Sequence, residues 1–431
     1  MRVLVTGAYG LIGSACLARL HADGHALVAL GRPIGVARRR LPYAQWIAAN
    51  FVHLQDTQAW LPLLNGVDAV VNCVGVLQDG LRDDVRRVQV EATVVLFDAC
   101  LRAGVRRVVH VSAIGADAEG PSVFARSKAE ADAHLQGLAL DWVILRPALV
   151  LGAGVHGATA LLRGLAAFPG VVPMVRADAR VQVVSIDDVV ETIARSLKPG
   201  APARVLWEVA HPQVHALSEI VTAQRNWLGF APRRVWRLPD AVGGAVAMAA
   251  DIAGWLGWRS PLRSTAFAQL SAGVVGEPQS WIADTGIQPK SLEQILAARP
   301  ANVQDRWFAR LYLLKPFAIL GLAATAIVAG RVEFGSLWQI ANGVLGISVS
   351  VFAIDIVPGL IFAAAAVVLG LGLLLRPTTR LALRGLLILT ILHAAHYCVI
   401  SLHLGYLPLT AISAIPILLA TLFTLAILDE R

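Results

Sequence analysis

Hydrophobic and polar positions follow two regimes along this chain. Up to about residue 200, short apolar runs end at glycines or polar turns and give way to stretches with apolar residues at helical spacing. RVLVT at 2–6 predicts a buried strand, and LIGSACLARLHADG predicts a helix stopped by Gly24. ALVALG at 26–31 and GVDAVVNCVGVL at 66–77 read as further strands, and a helix at about 84–103 closes at Gly104. The strand RRVVHVSA, a helix over 123–137 and the strand DWVILRP follow. VQVVSIDDVVETIARSL at 181–197 predicts one more strand, then a helix N-capped by Asp187 or Asp188. Near-continuous apolar strands separated by helices predict a doubly wound α/β domain, its parallel sheet covered on both faces.

The second regime starts after RWFARLYLLKP. Four apolar stretches, about 312–330, 352–375, 382–402 and 407–428, each approach the ~20 residues that cross a hydrocarbon layer as a helix. The intervening EFGSLWQIANGVLGI reads as a re-entrant or interfacial turn. Between the regimes the chain is rich in Pro, Trp and Arg. There AVGGAVAMAADIAGWLGWRSPL carries Asp251 and four glycines and ends at Trp255, Trp258, Arg259 and Arg263. That mixture predicts an interfacial helix or a pocket lid rather than a span. The expected divisions are 1–230, a connecting substrate or interfacial region 231–310, and an all-α transmembrane four-helix domain 311–431.

Composition sharpens this division. The 431 residues are 56 % hydrophobic and only 15 % charged, lean for a wholly soluble protein. Residues 311–431 hold six Lys or Arg and four Asp or Glu, so most of the formal charge of +8 lies earlier. It is spread without a run, which suits a surface facing an anionic leaflet and not nucleic acid. The four cysteines, Cys16, Cys73, Cys100 and Cys398, are far apart and form no CxxC pair, which argues against a disulfide framework or a metal site. MRVLVTG runs from strand to glycine turn with no visible signal peptide, so the first domain is expected in the cytoplasm. Arg306, Arg310 and Lys315 precede the first apolar stretch, and Arg376, Arg380 and Arg384 separate the second from the third. By the positive-inside rule both clusters face the cytoplasm, giving a multi-pass inner-membrane protein with its C-terminus inside. Asp355, His393, His396 and Tyr397 are the polar residues within the stretches, the last three on one helix face.

TGAYGLIG places Gly7, Gly10 and Gly13 between the first strand and the first helix. There the backbone N–H groups of Gly7, Tyr9, Gly10, Leu11, Ile12 and Gly13 are candidates to hold a pyrophosphate. A carboxylate at the end of the second strand would favour NAD. The chain has Gly31-Arg32-Pro33 there, with Arg38, Arg39 and Arg40 beyond, so Arg32 favours a 2′-phosphate and hence NADP over NAD.

These motifs, with HVSAIGA, the Lys128 segment and LRPALVLG, resemble the extended or atypical branch of the short-chain dehydrogenase/reductase superfamily over residues 1–230. The nearest likeness is to the group around the Rossmann accessory subunit of respiratory complex I. The tail resembles the DoxX-like four-helix membrane family. The first resemblance implies that Ser112 holds a substrate carbonyl, that Lys128 binds the nicotinamide ribose, and that Val74 and Gly75 line the cofactor. It also implies that Asn50-Phe51 lies near the adenine. The family's catalytic tyrosine position holds Phe124, which has no proton to give, a loss of about 10²–10⁴-fold for ordinary carbonyl chemistry. Tyr9 and His110 are the candidate substitutes. Two functions follow as expectations: an NAD(P)H oxidoreductase acting on a lipid-soluble or quinone-like acceptor, or a non-catalytic NADPH-binding assembly or redox-sensing protein. The expected partners are the lipid bilayer and a small hydrophobic substrate or a membrane protein.

Overall fold

Six parallel strands carry the first part of the computed structural model: β1 (Arg2–Thr6), β2 (Ala26–Gly31), β3 (Gln45–Ala48), β4 (Ala69–Asn72), β5 (Arg107–Val111) and β6 (Asp141–Pro147). A seventh, Val205–Val209, pairs parallel with β6. The spatial order is Val205–Val209, β6, β5, β4, β1, β2, β3. The chain runs outward from β1 through β2 to β3, then returns to place β4 on the other side of β1. This reversal opens a crevice at the carboxyl ends of β1 and β4, where doubly wound sheets bind ligands.

The structure describes all residues except 33, 81–83, 344–348, 404–408 and 429–431, and omits the side chains of 336, 338–343, 349–356, 400, 403 and 409–411. Pro33 and Arg431 thus lie outside the described residues, as does the side chain of Asp355.

Strand alternation fills both faces. Val3, Val5, Val71 and Val109 pack on one side against Leu17 and Leu20 of α1 (Leu11–Ala22). Leu4, Val28, Val70 and Val108 pack on the other against α3 (Thr57–Leu64), α4 (Ala92–Ala103) and α5 (Val123–Gln136), while α2 (Ile34–Arg40) leads into Leu41 and Tyr43, which pack on the first face. Trp60 of α3 and Phe97 of α4 are fully buried there. At about 25 cal/mol per Å² of apolar area removed from water, such large side chains dominate the stabilisation of this layer.

Two expectations change. The helix α7 (Ile186–Ser196) is capped by Ser185, whose side chain accepts from Asp187 N at 3.2 Å. Asp187 and Asp188 sit in the first turn instead, where they complement the helix dipole and hold Lys290. Before α7 comes α6 (Ala158–Ala166), and after it α8 (Leu217–Trp227), α9 (Asp240–Trp255), α10 (Ser264–Ala272), α11 (Gln279–Thr285) and α12 (Leu292–Ala297).

The chain divides into two units, one holding 1–254 and 259–309, the other 255–258 and 310–431. The second contains most of α13 (Val303–Gly343), then α14 (Val349–Leu374), α15 (Thr379–His403) and α16 (Leu409–Ile427). Here the second correction falls. EFGSLWQIANG continues α13 as helix, since an isolated Gly335 costs only about 1 kcal/mol in a helix, and the remaining VLGI of that stretch lies outside the described residues. Among the described residues, three helices are long and apolar enough to cross a membrane, Val303–Gly335, Val357–Leu374 and Thr379–Val399, and Ile412–Ile427 is a shorter apolar helix.

Candidate functional site: a glycine turn facing a buried polar cluster

Gly7 follows β1 with φ +64, and a Cβ there would lie 2.5 Å from Cys73 O. A Cβ on Gly13 would lie 2.3 Å from Gly7 O, so the glycine lets α1 close onto the turn. Gly10 differs from both. It is the N-cap of α1, offers no side-chain cap, and a Cβ there would meet only Gly7 O within 4 Å, at 3.1 Å. The amides of the first turn, Leu11 and Ile12 included, are thus left for an incoming anion. The donor set fits a dinucleotide's pyrophosphate.

Tyr9 leans away from this turn. A Cβ on Gly31, the last residue of β2, would lie 2.7 Å from two carbons of its ring, so the phenol packs over the strand end. Arg32 is exposed beside it, and Arg38, Arg39 and Arg40 form the exposed last turn of α2. Asn50 pairs with His53 at 3.2 Å, while Phe51 is buried edge-on against Trp60.

Across the crevice, register aligns Thr6 of β1 with Asn72 of β4 and His110 of β5. Asn72 Oδ1 accepts from Thr6 Oγ1 at 2.6 Å and from Val74 N at 3.2 Å, which fixes the amide orientation and the start of the Val74-Gly75 segment. Asn72 Nδ2 then donates to His110 Nδ1 at 3.2 Å, leaving the ring proton on Nε2. That nitrogen lies 3.6 Å from Asp132 Oδ1, beyond a full-strength hydrogen bond. Burial, with Lys128 and Arg146 nearby, holds the His110 pKa well below its usual range, so the ring is neutral. It sits edge-on to Phe97 at 5.2 Å, a core histidine bonded through Nδ1 whose buried Nε2 has no hydrogen-bond partner.

Asp132 was not among the expected site residues. It lies one turn after Lys128 on α5, is 1 % exposed, and takes a hydrogen bond from Ser112 Oγ at 2.9 Å and another from Arg146 Nε at 2.9 Å, both on Oδ2. Burial raises its pKa against the pull of Arg146, Ser112 and Lys128. The signal in the sequence was a second charged residue at i+4 from Lys128 on a helix packed against a sheet.

Lys128 is buried, donates to Val111 O at 2.9 Å, and lies 3.7 Å from where a Cβ on Gly75 would stand. Burial lowers its pKa to about 8, although Asp132 and Cys73 pull the other way. The cluster therefore brings Lys128, Gly75 and Ser112 to the crevice wall. Phe124, half-buried in the first turn of α5 behind the Ser122 cap, stands one helical turn before Lys128. Of the other tyrosines, Tyr9 packs on Gly31 and Tyr43 stacks on His21.

Residues 7–198 match the family model described as NAD(P)H-binding. The sheet order is that of a doubly wound Rossmann fold. The structure of the Bordetella bronchiseptica enzyme WbmG in complex with NAD aligns at TM-score 0.52 and 19 % identity, covering 68 % of this chain and 91 % of that one. A Bacillus anthracis dTDP-glucose 4,6-dehydratase in complex with NAD aligns at 0.53 and 15 % identity, covering 72 % and 96 %. An uncharacterized Mycobacterium tuberculosis protein is 31 % identical over 199 residues, which is 46 % of this chain and 20 % of the relative. The matched segment thus spans about a fifth of the length of that relative.

In the second unit, the expected polar face is built into the helix packing. His393 stacks on Phe362 at 3.7 Å, His396 meets Tyr397 edge-on at 5.5 Å, and Tyr397 OH donates to Glu333 at 3.0 Å.

Proposed function

We propose that this chain is a membrane-anchored NAD(P)H oxidoreductase that passes hydride to a lipid-soluble, quinone-like acceptor at the cytoplasmic face. The observation that carries this reading is the pairing of a complete glycine turn with Phe124 one turn before Lys128. A bound nicotinamide cofactor supplies the hydride. The protein's residues supply the rest: the turn amides hold phosphate, and Lys128 holds the ribose. A carbonyl substrate needs a proton donor as the alkoxide forms, and a phenyl ring provides none. A quinone is already electron-poor, and NAD(P)H, one proton and quinone balance as NAD(P)⁺ and hydroquinone, with the hydride from the cofactor and the single proton from water.

Arg32 and the arginines of α2 support NADP over NAD. The three long apolar helices, and basic clusters at 306–315 and 376–384, support an inner-membrane anchor with the Rossmann domain inside. The DoxX-like assignment of 311–431 stays part of this proposal.

One observation favours a second reading. The Ser112 hydroxyl donates to Asp132, so it is committed inward. This suits a protein that binds NADPH as a structural or redox-reporting ligand while its tail docks a membrane complex. Purification in detergent, analysis of the bound nucleotide and stopped-flow oxidation by quinone analogues separate the two. Rapid oxidation supports the enzyme; bound but inert NADPH supports the second reading.

A further inference from the structure

The helix α9 has an unusual cross-section. Its buried positions, Gly243, Ala247, Ala250 and Gly254, recur at i, i+4, i+7 and i+11 and are all small. A Cβ on Gly243 would lie 2.9 Å from Phe267 of α10, and one on Gly254 would lie 2.8 Å from the Arg263 guanidinium, so the seam packs backbone-close. The opposite stripe is large and apolar. Met248, Ile252 and Trp255, at i, i+4 and i+7, are 65 %, 60 % and 67 % exposed. Scattered exposed apolar residues are ordinary, but a continuous stripe marks a surface that something covers.

The chemistry of that something is written beside the stripe. Both acids of α9 are matched by arginine, Asp240 with Arg176 at 2.8 Å and Asp251 with Arg263 at 2.8 Å. The strand before α9, Val235–Leu238, exposes Trp236 between Arg233 and Arg234 on one side and Arg237, which pairs with Asp178 at 2.9 Å, on the other. Tryptophan interleaved with arginine suits a headgroup layer, where rings straddle the boundary and guanidinium groups meet phosphate. The chain leaving α9 points the same way. Trp255–Trp258 group with the second unit, where Trp258 donates to Leu374 O at 2.7 Å and Arg376 N donates to Leu256 O at 3.0 Å. Those contacts lie at the end of a helix long enough to cross a membrane, which is its polar margin. Sixteen residues give only about 24 Å of helix, short of a ~30 Å hydrocarbon layer.

We infer that α9 lies flat on an anionic bilayer surface, its Met248–Ile252–Trp255 stripe entering the acyl boundary. This rests on the membrane anchoring proposed above and adds a docking face that the spans do not provide. The test uses the full chain in phosphatidylglycerol-containing proteoliposomes, spin-labelled at Ile252→Cys or Met248→Cys. The parent chain, similarly treated, gives the background from Cys73 and Cys398. Collision with oxygen relative to a water-soluble nickel chelate should be several-fold higher at both positions than at Lys198→Cys, an exposed site on the Rossmann domain. Val368→Cys, 66 % exposed on α14, serves as the acyl reference. A water-accessible label at 368 would mean that the anchoring reading has failed. A lipid-exposed label at 368 with a water-exposed one at 252 overturns the docking alone. Shielding of 252 from both reagents places a second copy or another protein on the stripe and also overturns it.

Discussion

The glycine turn after β1 and the wall formed by β5 and α5 face the same crevice, yet their polar groups point in opposite directions. In the turn, backbone does the work: Gly7 and Gly13 allow close approach, and the uncapped start of α1 leaves its amides toward the crevice. In the wall, side chains do the work, and most of them turn inward. Asp132 gathers Ser112 and Arg146, Asn72 gathers Thr6 and His110, and Lys128 is tied to Val111 O. One side is built to receive a ligand, the other to satisfy its own buried charges. On the proposed reading, the comparison separates cofactor binding, which rests on backbone, from carbonyl chemistry, which rests on a phenol that this chain replaces with Phe124.

The largest effect should come from the turn. Gly10→Val places a side chain where phosphate approaches, and nucleotide affinity should fall by about 100-fold or more, read by calorimetry. The fold should survive, because only Gly7 O lies near the new Cβ. Unchanged affinity would remove the turn from the binding site.

Breaking the wall should cost stability first. Asp132→Ala leaves Arg146 without its carboxylate in a largely buried site and should destabilise the domain by about 3 kcal/mol, seen as a lowered melting midpoint. Ser112→Ala removes one hydrogen bond and should cost about 1 kcal/mol. Equal, negligible losses would mean that the inward cluster holds nothing together.

A smaller effect is expected at the end of β2. Arg32→Ala should weaken NADPH by about tenfold and leave NADH nearly unchanged, since a guanidinium recognises the extra phosphate. Equal losses would end the case for NADP.

The smallest is a pH effect. Below about 8, Lys128 is charged and disfavours the positively charged oxidised ring beside it. As pH rises through about 8 that charge is lost, so oxidised cofactor should gain affinity relative to reduced. Lys128→Met should flatten the trend, and a parent ratio independent of pH would show that Lys128 does not face the ring.

Much of this comparison could be read from residues alone, and the misses have physical causes. β1, β2, β5 and β6 are buried on both faces and appear as apolar runs. β3 is four residues with its ends exposed, and α3 contains Pro62, so neither gives a clear period. GVDAVVNCVGVL reads as one long strand, but ordered pairing ends at Asn72 because its side chain serves the crossing network. SKAEAD holds three charged residues in six, and only the sheet beneath it explains why Lys128 and Asp132 are buried. The turn was legible because backbone demands glycine at fixed positions; in the wall Ser112 and Lys128 were legible through the family resemblance, but Asp132 was not, because its partners are brought together from separate segments.

The most direct test of the central claim is carbonyl turnover by Phe124→Tyr, measured with NADPH and a panel of aldehydes and ketones against the parent. A phenol there stands one turn from Lys128, whose charge would draw its pKa down. The account predicts no gain in carbonyl reduction and unchanged or slower transfer to quinone analogues, because Ser112 is committed to Asp132. A gain of about 10²-fold or more in carbonyl reduction would contradict it, and would show that the wall still holds carbonyl geometry.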